Sequence, residues 1–208
     1  MSLPLILVDC TPDSAREKAD LFADLLVRLR QRREGGGAVQ VVKERECPAA
    51  LAEPNGGVIL SGSPRLLSRG EGSDPLQAWL AGASGPLLGI CYGHQLLAQA
   101  FGARVEVDER GEQRGLQAVM RLVDDELFAG LPWRLEMAGS HRETVRRDRR
   151  LTRHFTVLAV NDSGGVEAIR QRQRPLWGVQ FHPERSAEIG ERLLANFLAA
   201  AALDRSTR

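Results

Sequence analysis

Residues 86–102 read PLLGICYGHQLLAQAFG, an apolar run that halts at Gly89-Ile90-Cys91-Tyr92-Gly93 and then resumes with helical spacing. Pro86 to Ile90 predicts a buried strand, and His94 to Phe101 a helix ended by Gly102. A cysteine that only fills a core needs no glycine on either side. Gly-x-Cys-x-Gly between strand and helix has instead the form of a nucleophile elbow, with cysteine as the nucleophile. The turn is tight, so its flanking residues must be small. It stands the sulfur at the N-terminus of the following helix, where the dipole and free N–H groups favour thiolate over thiol. The first of those N–H groups, that of Tyr92, is placed to stabilise an oxyanion.

Outward from this elbow, strands alternate with helices. Leu3 to Val8 is a short apolar run ending in Asp9, as a fully buried strand requires. In TPDSAREKADLFADLLVRLRQRREGGG (residues 11–37), Ser14 and Glu17 have capping-box spacing, and Phe22, Leu25, Leu26 and Leu29 share a helical face. Val39 to Val42 and Gly57 to Leu60 read as two more strands, the latter running into Ser61-Gly62-Ser63-Pro64. Asp74-Pro75 starts a helix through PLQAWLAG, with Asp74 as N-cap. This alternation points to an α/β fold with a mostly parallel, flavodoxin-like open sheet and helices on both faces. After Gly102 come short β-like runs, ARVEVD, LQAVMRLV, FTVLAV, VEAI and LWGVQF, joined by turn residues. They predict antiparallel strands added in the C-terminal half. A last helix, Ala187 to Ala201, closes what reads as a single domain over residues 1–208.

Composition narrows the function classes. Lys and Arg number 28 against 27 Asp and Glu, a balance that gives no reason to expect nucleic acid. The first apolar run is broken by Asp9 and has no basic leader, and no stretch reaches membrane length. The cysteines, Cys10, Cys47 and Cys91, are widely spaced, as expected of a reducing, cytoplasmic compartment. No His or Cys pair has ligand spacing, so neither metal nor cofactor is expected. The basic run RRDRRLTRH (146–154) reads as a solvated surface segment.

A cysteine nucleophile needs a base, and the base an orienter. There are four histidines. His182 follows an apolar strand in LWGVQFHPE, and Pro183 stops that strand. Residues i and i+2 of an extended segment project to one side, so Glu184 can hold one ring nitrogen of His182 while the other faces the thiol. His94 lies inside the helix, where it packs or caps. His141 sits in AGSHRETV (138–145), read as a polar loop that lines the site, and His154 belongs to the basic run.

GICYGHQ (89–95) followed by GVQFHPE (178–184) resembles the class I glutamine amidotransferases, the family with a Cys-His-Glu triad. Tyr92 and AGSHRETV look closest to the glutaminase domain of GMP synthetase and its free-standing relatives. The resemblance implies that Cys91 attacks the side-chain amide of glutamine, that His182 manages the protons and that Glu184 polarises His182. It further implies an oxyanion hole from the N–H groups of Tyr92 and of the loop at Gly62 and Ser63. Gln95, Ser140 and His141 would hold the α-amino and α-carboxylate groups of glutamine. Ser63 stands where the GMP synthetase group usually has glycine, and Asp9-Cys10-Thr11-Pro12 replaces an Asn-containing pattern.

Three functions compete at this point. The first is a glutaminase that supplies ammonia to a separate synthase subunit, an expectation strengthened because no synthetase domain follows before Arg208. The second is a free-standing γ-glutamyl amide hydrolase with the same triad. The third is a non-catalytic module on the same fold, which has no need of all three triad residues.

Overall fold

The computed structural model describes residues 3–34, 36–47, 51 and 56–206. Its main sheet has nine strands in the order β2-β1-β3-β4-β11-β10-β9-β6-β7. The first half comprises β1 (Leu5–Asp9), β2 (Val39–Lys43), β3 (Val58–Leu60), β4 (Leu87–Ile90) and β11 (Leu176–Val179). These pair in parallel, β1 with β2 and β3, then β3 with β4, and β4 with β11. Strands β1, β3, β4 and β11 are buried throughout, which is why each reads as an unbroken apolar run.

The second half is antiparallel: β10 (Val166–Gln171), β9 (Phe155–Asn161), β6 (Gln113–Arg121) and β7 (Arg134–His141). A two-stranded ribbon of β5 (Val105–Val107) and β8 (Glu143–Val145) stands apart. The segment expected as a polar loop, 138–145, is therefore the end of β7 and all of β8. Its polar residues hid the strands because two of them, His141 and Glu143, are buried rather than turned to solvent.

Helices cover both faces. On one, α1 (Arg16–Glu34) and the final helix pack Phe22, Leu26, Phe197 and Leu198 over Leu5, Leu7 and Ile59. On the other, α2 (Asp74–Gly82), α3 (Tyr92–Ala100) and α4 (Arg149–His154) pack Leu76, Leu80, Leu96, Leu97 and Leu151 over Ile6, Val8 and Leu60. The final helix, α5, runs Ala187–Ser206, beyond the expected end at Ala201. Two helix starts differ from expectation. Ser73, not Asp74, is the N-cap of α2, with Pro in the first turn. Ser14 lies within a 3-10 turn, Asp13–Ala15, that leads into α1. The basic run forms α4, N-capped by Asp148 and anchored by buried Leu151. Among the described residues no helix is long and apolar enough to cross a membrane.

Candidate active site

The elbow is built at the C-terminal end of β4. Cys91 has φ 50 and ψ −101, a conformation rarely adopted by residues other than glycine. Its N–H donates to Val179 O at 2.8 Å, which ties the turn to β11. Gly89 and Gly93 are explained by contact. A Cβ on Gly89 would stand 2.5 Å from the carbonyl of Gly93, and one on Gly93 would stand 2.7 Å from Leu60. Only hydrogen atoms fit where the first turn of α3 meets β3 and β4. The main-chain bond that opens α3 runs from Gln95 N–H to Cys91 O, so the N–H groups ahead of it have no partner within the helix.

His182 reaches the thiol from the end of β11. Its Nδ1 is 2.6 Å from Oε1 of Glu184, which leaves Nε2 for a hydrogen bond with Cys91. Burial works to discharge the ring, but the bonds with Cys91 and Glu184 outweigh it and raise its pKa to about 10. His182 is also braced through its backbone. Its N–H donates to Ala138 O at 2.8 Å, and its carbonyl accepts from Ser186 Oγ at 2.6 Å. Ser186 Oγ in turn accepts from Ala138 N–H, so the far edge strand β7 curls back to hold the base. Gly190 permits the approach of α5 to this turn, since a Cβ there would stand 1.9 Å from Pro183 O.

The loop after β3 covers the thiol. A Cβ on Gly62 would lie 2.8 Å from Cε1 of His182 and 3.6 Å from Cβ of Cys91. Ser61 Oγ accepts from Cys10 N–H and donates to Gly62 O. Ser63 uses its hydroxyl as an acceptor for the N–H and Nε of Arg65. Arg65 lies over the Tyr92 ring at 4.7 Å and pairs with Glu44. Further along, the buried Glu143 carboxylate accepts from the N–H groups of Leu67 and Ser68 at 2.8 and 2.9 Å.

Of the remaining expected residues, Ser140 places its carbonyl 3.7 Å from Sγ of Cys91. His141 is buried, with Nε2 at 3.8 Å from Asp108 Oδ2, and burial above all lowers its pKa to about 4. His94 is fully buried, with its pKa lowered to about 3 by burial. Of these three histidines, only His182 is driven toward its charged form. Gln95 is buried, and its Nε2 donates to Glu143 O at 2.9 Å and to Gln180 Oε1 at 3.1 Å. Sequence reasoning missed Gln180, Glu143, Ser186 and Gly190. Only Gln180 carried a signal, a polar residue between the apolar Val179 and Phe181. Among the described residues, no group of three or more His, Cys, Asp or Glu side chains converges as a metal site.

A strained cysteine at a helix head stands beside a histidine braced by glutamate, with a glycine loop over both, an arrangement with the chemical groups that cysteine-dependent amide hydrolysis needs. The family model for class-I glutamine amidotransferases matches residues 26–201, and the chain belongs to that family. It is 39% identical over 142 residues to a glutamine-hydrolyzing GMP synthase subunit of Pyrococcus abyssi, covering 68% of this chain and 73% of that one. The protein of the same name from Methanopyrus kandleri is 35% identical over 163 residues, covering 78% and 84%. Among solved structures, a putative GMP synthase subunit from Thermoplasma acidophilum superposes with TM-score 0.80 at 24% identity, covering 100% and 98%, and has the same fold.

Proposed function

We propose that this glutamine amidotransferase hydrolyses glutamine through a thioester on Cys91 and passes the ammonia to a separate synthase subunit. The observation that carries the reading is the 2.6 Å contact between His182 Nδ1 and Glu184, which aims the other ring nitrogen at Cys91. The thiolate adds to the side-chain amide carbon. N–H groups of Tyr92 and of the loop at Gly62 and Ser63 receive the negative charge on oxygen. The tetrahedral species collapses as His182 gives its proton to the departing nitrogen, which leaves as ammonia. Water then adds to the thioester and gives its proton to His182. Glutamate departs, and the sulfur is again a thiolate beside a protonated ring. Gln95, through Oε1, and Ser140 with His141 hold the amino-acid end of glutamine.

The Pyrococcus and Methanopyrus relatives are each named as one subunit of their synthase, which supports a synthase encoded on another chain. The likeness to these proteins makes GMP formation the leading destination for the ammonia. The three cysteines, all free, suit a reducing cytoplasm. Glutamate release is to be measured for the protein alone, then with an ATP-dependent synthase and its substrates. Slow hydrolysis alone and a rise on adding the synthase support the reading. Rapid cleavage of another γ-glutamyl amide, with no response to any synthase, overturns it in favour of a free-standing hydrolase.

A further inference from the structure

We propose that Gln180 is a catalytic residue whose side-chain amide donates a hydrogen bond to Sγ of Cys91 and stabilises the sulfur as an anion. This rests on the reading of Cys91 as the nucleophile. The Nε2 of Gln180 lies 3.7 Å from Sγ, within reach of an N–H···S bond, and Gln180 is wholly buried.

Which end of an amide faces a neighbour must be argued from its partners. Here the chain of partners begins at a main-chain carbonyl, Glu143 O, which can only accept. Gln95 is 2.9 Å away and must therefore present its NH2 group. The same nitrogen is 3.1 Å from the Gln180 amide, so Gln180 must present oxygen to it. Only one orientation is left, with the NH2 of Gln180 directed at the sulfur. The chain is anchored beyond Glu143, whose carboxylate is held by two backbone N–H groups of the loop at Leu67 and Ser68. At its other end, the N–H of Gln180 is fixed on Glu167 O.

The position is an expensive place for an amide. Gln180 lies between Val179 and Phe181, both fully buried, where an apolar side chain would avoid the cost of burying polar atoms. The charge on sulfur explains it. The Ser140 carbonyl, 3.7 Å from Sγ, suits a protonated thiol and opposes a thiolate. Gln180 supplies the compensating donor. It also outlasts His182 in that role, because His182 loses its proton to the leaving ammonia whereas the amide N–H does not titrate. When the thioester is hydrolysed, sulfur leaves as an anion toward a donor already in place. No proton or electron moves through Gln180.

The test is the pH profile of Cys91 alkylation by iodoacetamide, read at that residue by peptide mass spectrometry so that Cys10 and Cys47 do not interfere. Gln180→Leu is expected to move the profile up by about one pH unit, the size of one lost hydrogen bond to a charged group. Gln180→Glu is expected to move it further, since a carboxylate beside sulfur opposes the anion. Where glutamine is turned over, kcat falls while KM holds. A folded Gln180→Leu protein with the wild-type profile overturns the proposal. If that variant does not fold, Gln95→Leu decides: it frees the Gln180 amide to rotate, and an unshifted profile there is equally fatal. Alkylation requires neither glutamine nor a synthase. Wild-type protein that ignores glutamine, together with variants that shift as stated, refutes only the proposed function.

Discussion

Gly62 and His182 are in contact: a methyl group at residue 62 would stand 2.8 Å from Cε1 of the imidazole ring. The ring cannot retreat freely, because Glu184 holds its Nδ1 and Ala138 and Ser186 hold its backbone. Gly62→Ala is therefore expected to tilt His182 away from Cys91. A misplacement of this order lowers kcat about 100-fold. The melting temperature should change little, because the loop is not part of the core. Steady-state kinetics and calorimetry on the variant check both halves of the statement.

The backbone of Cys91 stores strain at φ 50, ψ −101. Glycine adopts such angles without penalty, whereas alanine retains the clash of its Cβ. Cys91→Gly and Cys91→Ala should both be inactive. Glycine should nonetheless be the more stable of the two by about 1 kcal/mol, the strain released less the added freedom of the unfolded chain. Urea unfolding of the pair measures the difference. Equal stability would mean that the elbow is not strained.

Cys91 and Glu184 together draw His182 toward its charged form. With its pKa raised from 6.5 to about 10, the protonated ring stabilises the fold fully below its ordinary value, and that contribution is lost as pH rises through about 10. Glu184→Gln removes one of the two partners that hold the proton. The His182 ring should then titrate at lower pH, followed by NMR at its Cε1–H, and kcat should fall at least about 100-fold. A ring that titrates as in the wild type contradicts the role of Glu184.

Glu167 lies buried behind the site, with Oε1 accepting from Asn161 and Oε2 unpartnered among the described residues. Burial raises its pKa from 4.5 to about 7. The folded state thus binds a proton more tightly than the unfolded chain, so stability is lost as pH climbs from 4.5 through about 7. Glu167→Gln keeps the acceptor for Asn161 and has no proton to lose. Its stability relative to wild type should increase across that window, reaching on the order of 1–3 kcal/mol above it. Denaturant midpoints at pH 5 and pH 8, where the group is mostly neutral and mostly charged, check the sign.

Much of this protein was legible in one dimension. Apolar runs at Leu5–Asp9, Val58–Leu60 and Leu87–Ile90 announced buried parallel strands, because both of their faces are covered. Gly89 and Gly93 announced a turn too tight for side chains around Cys91. His182 and Glu184 were readable as a pair because their spacing is local, and a local distance is set by backbone geometry alone. Ser73 displaced Asp74 as cap of α2, and strands β7 and β8 replace the polar loop that their sequence suggests. In the second case buried polar groups, His141 and Glu143, made strands read as a loop, because Glu143 is satisfied by the backbone of a distant loop.

The sequence by itself determined the α/β class, the elbow and the residues able to act as nucleophile, base and orienter. These depend on periodicity, on short spacing and on side-chain chemistry. The tertiary structure alone decided which of His94, His141 and His182 is driven toward its charged form, since burial opposes the charge on His94 and His141 while bonds with Cys91 and Glu184 outweigh burial at His182. It also decided that Gln180 points its amide at Cys91 and Gln95 its amide at Gln180, rather than outward. That orientation passes through a carbonyl at residue 143, and contacts over such separations are set by how the strands pack.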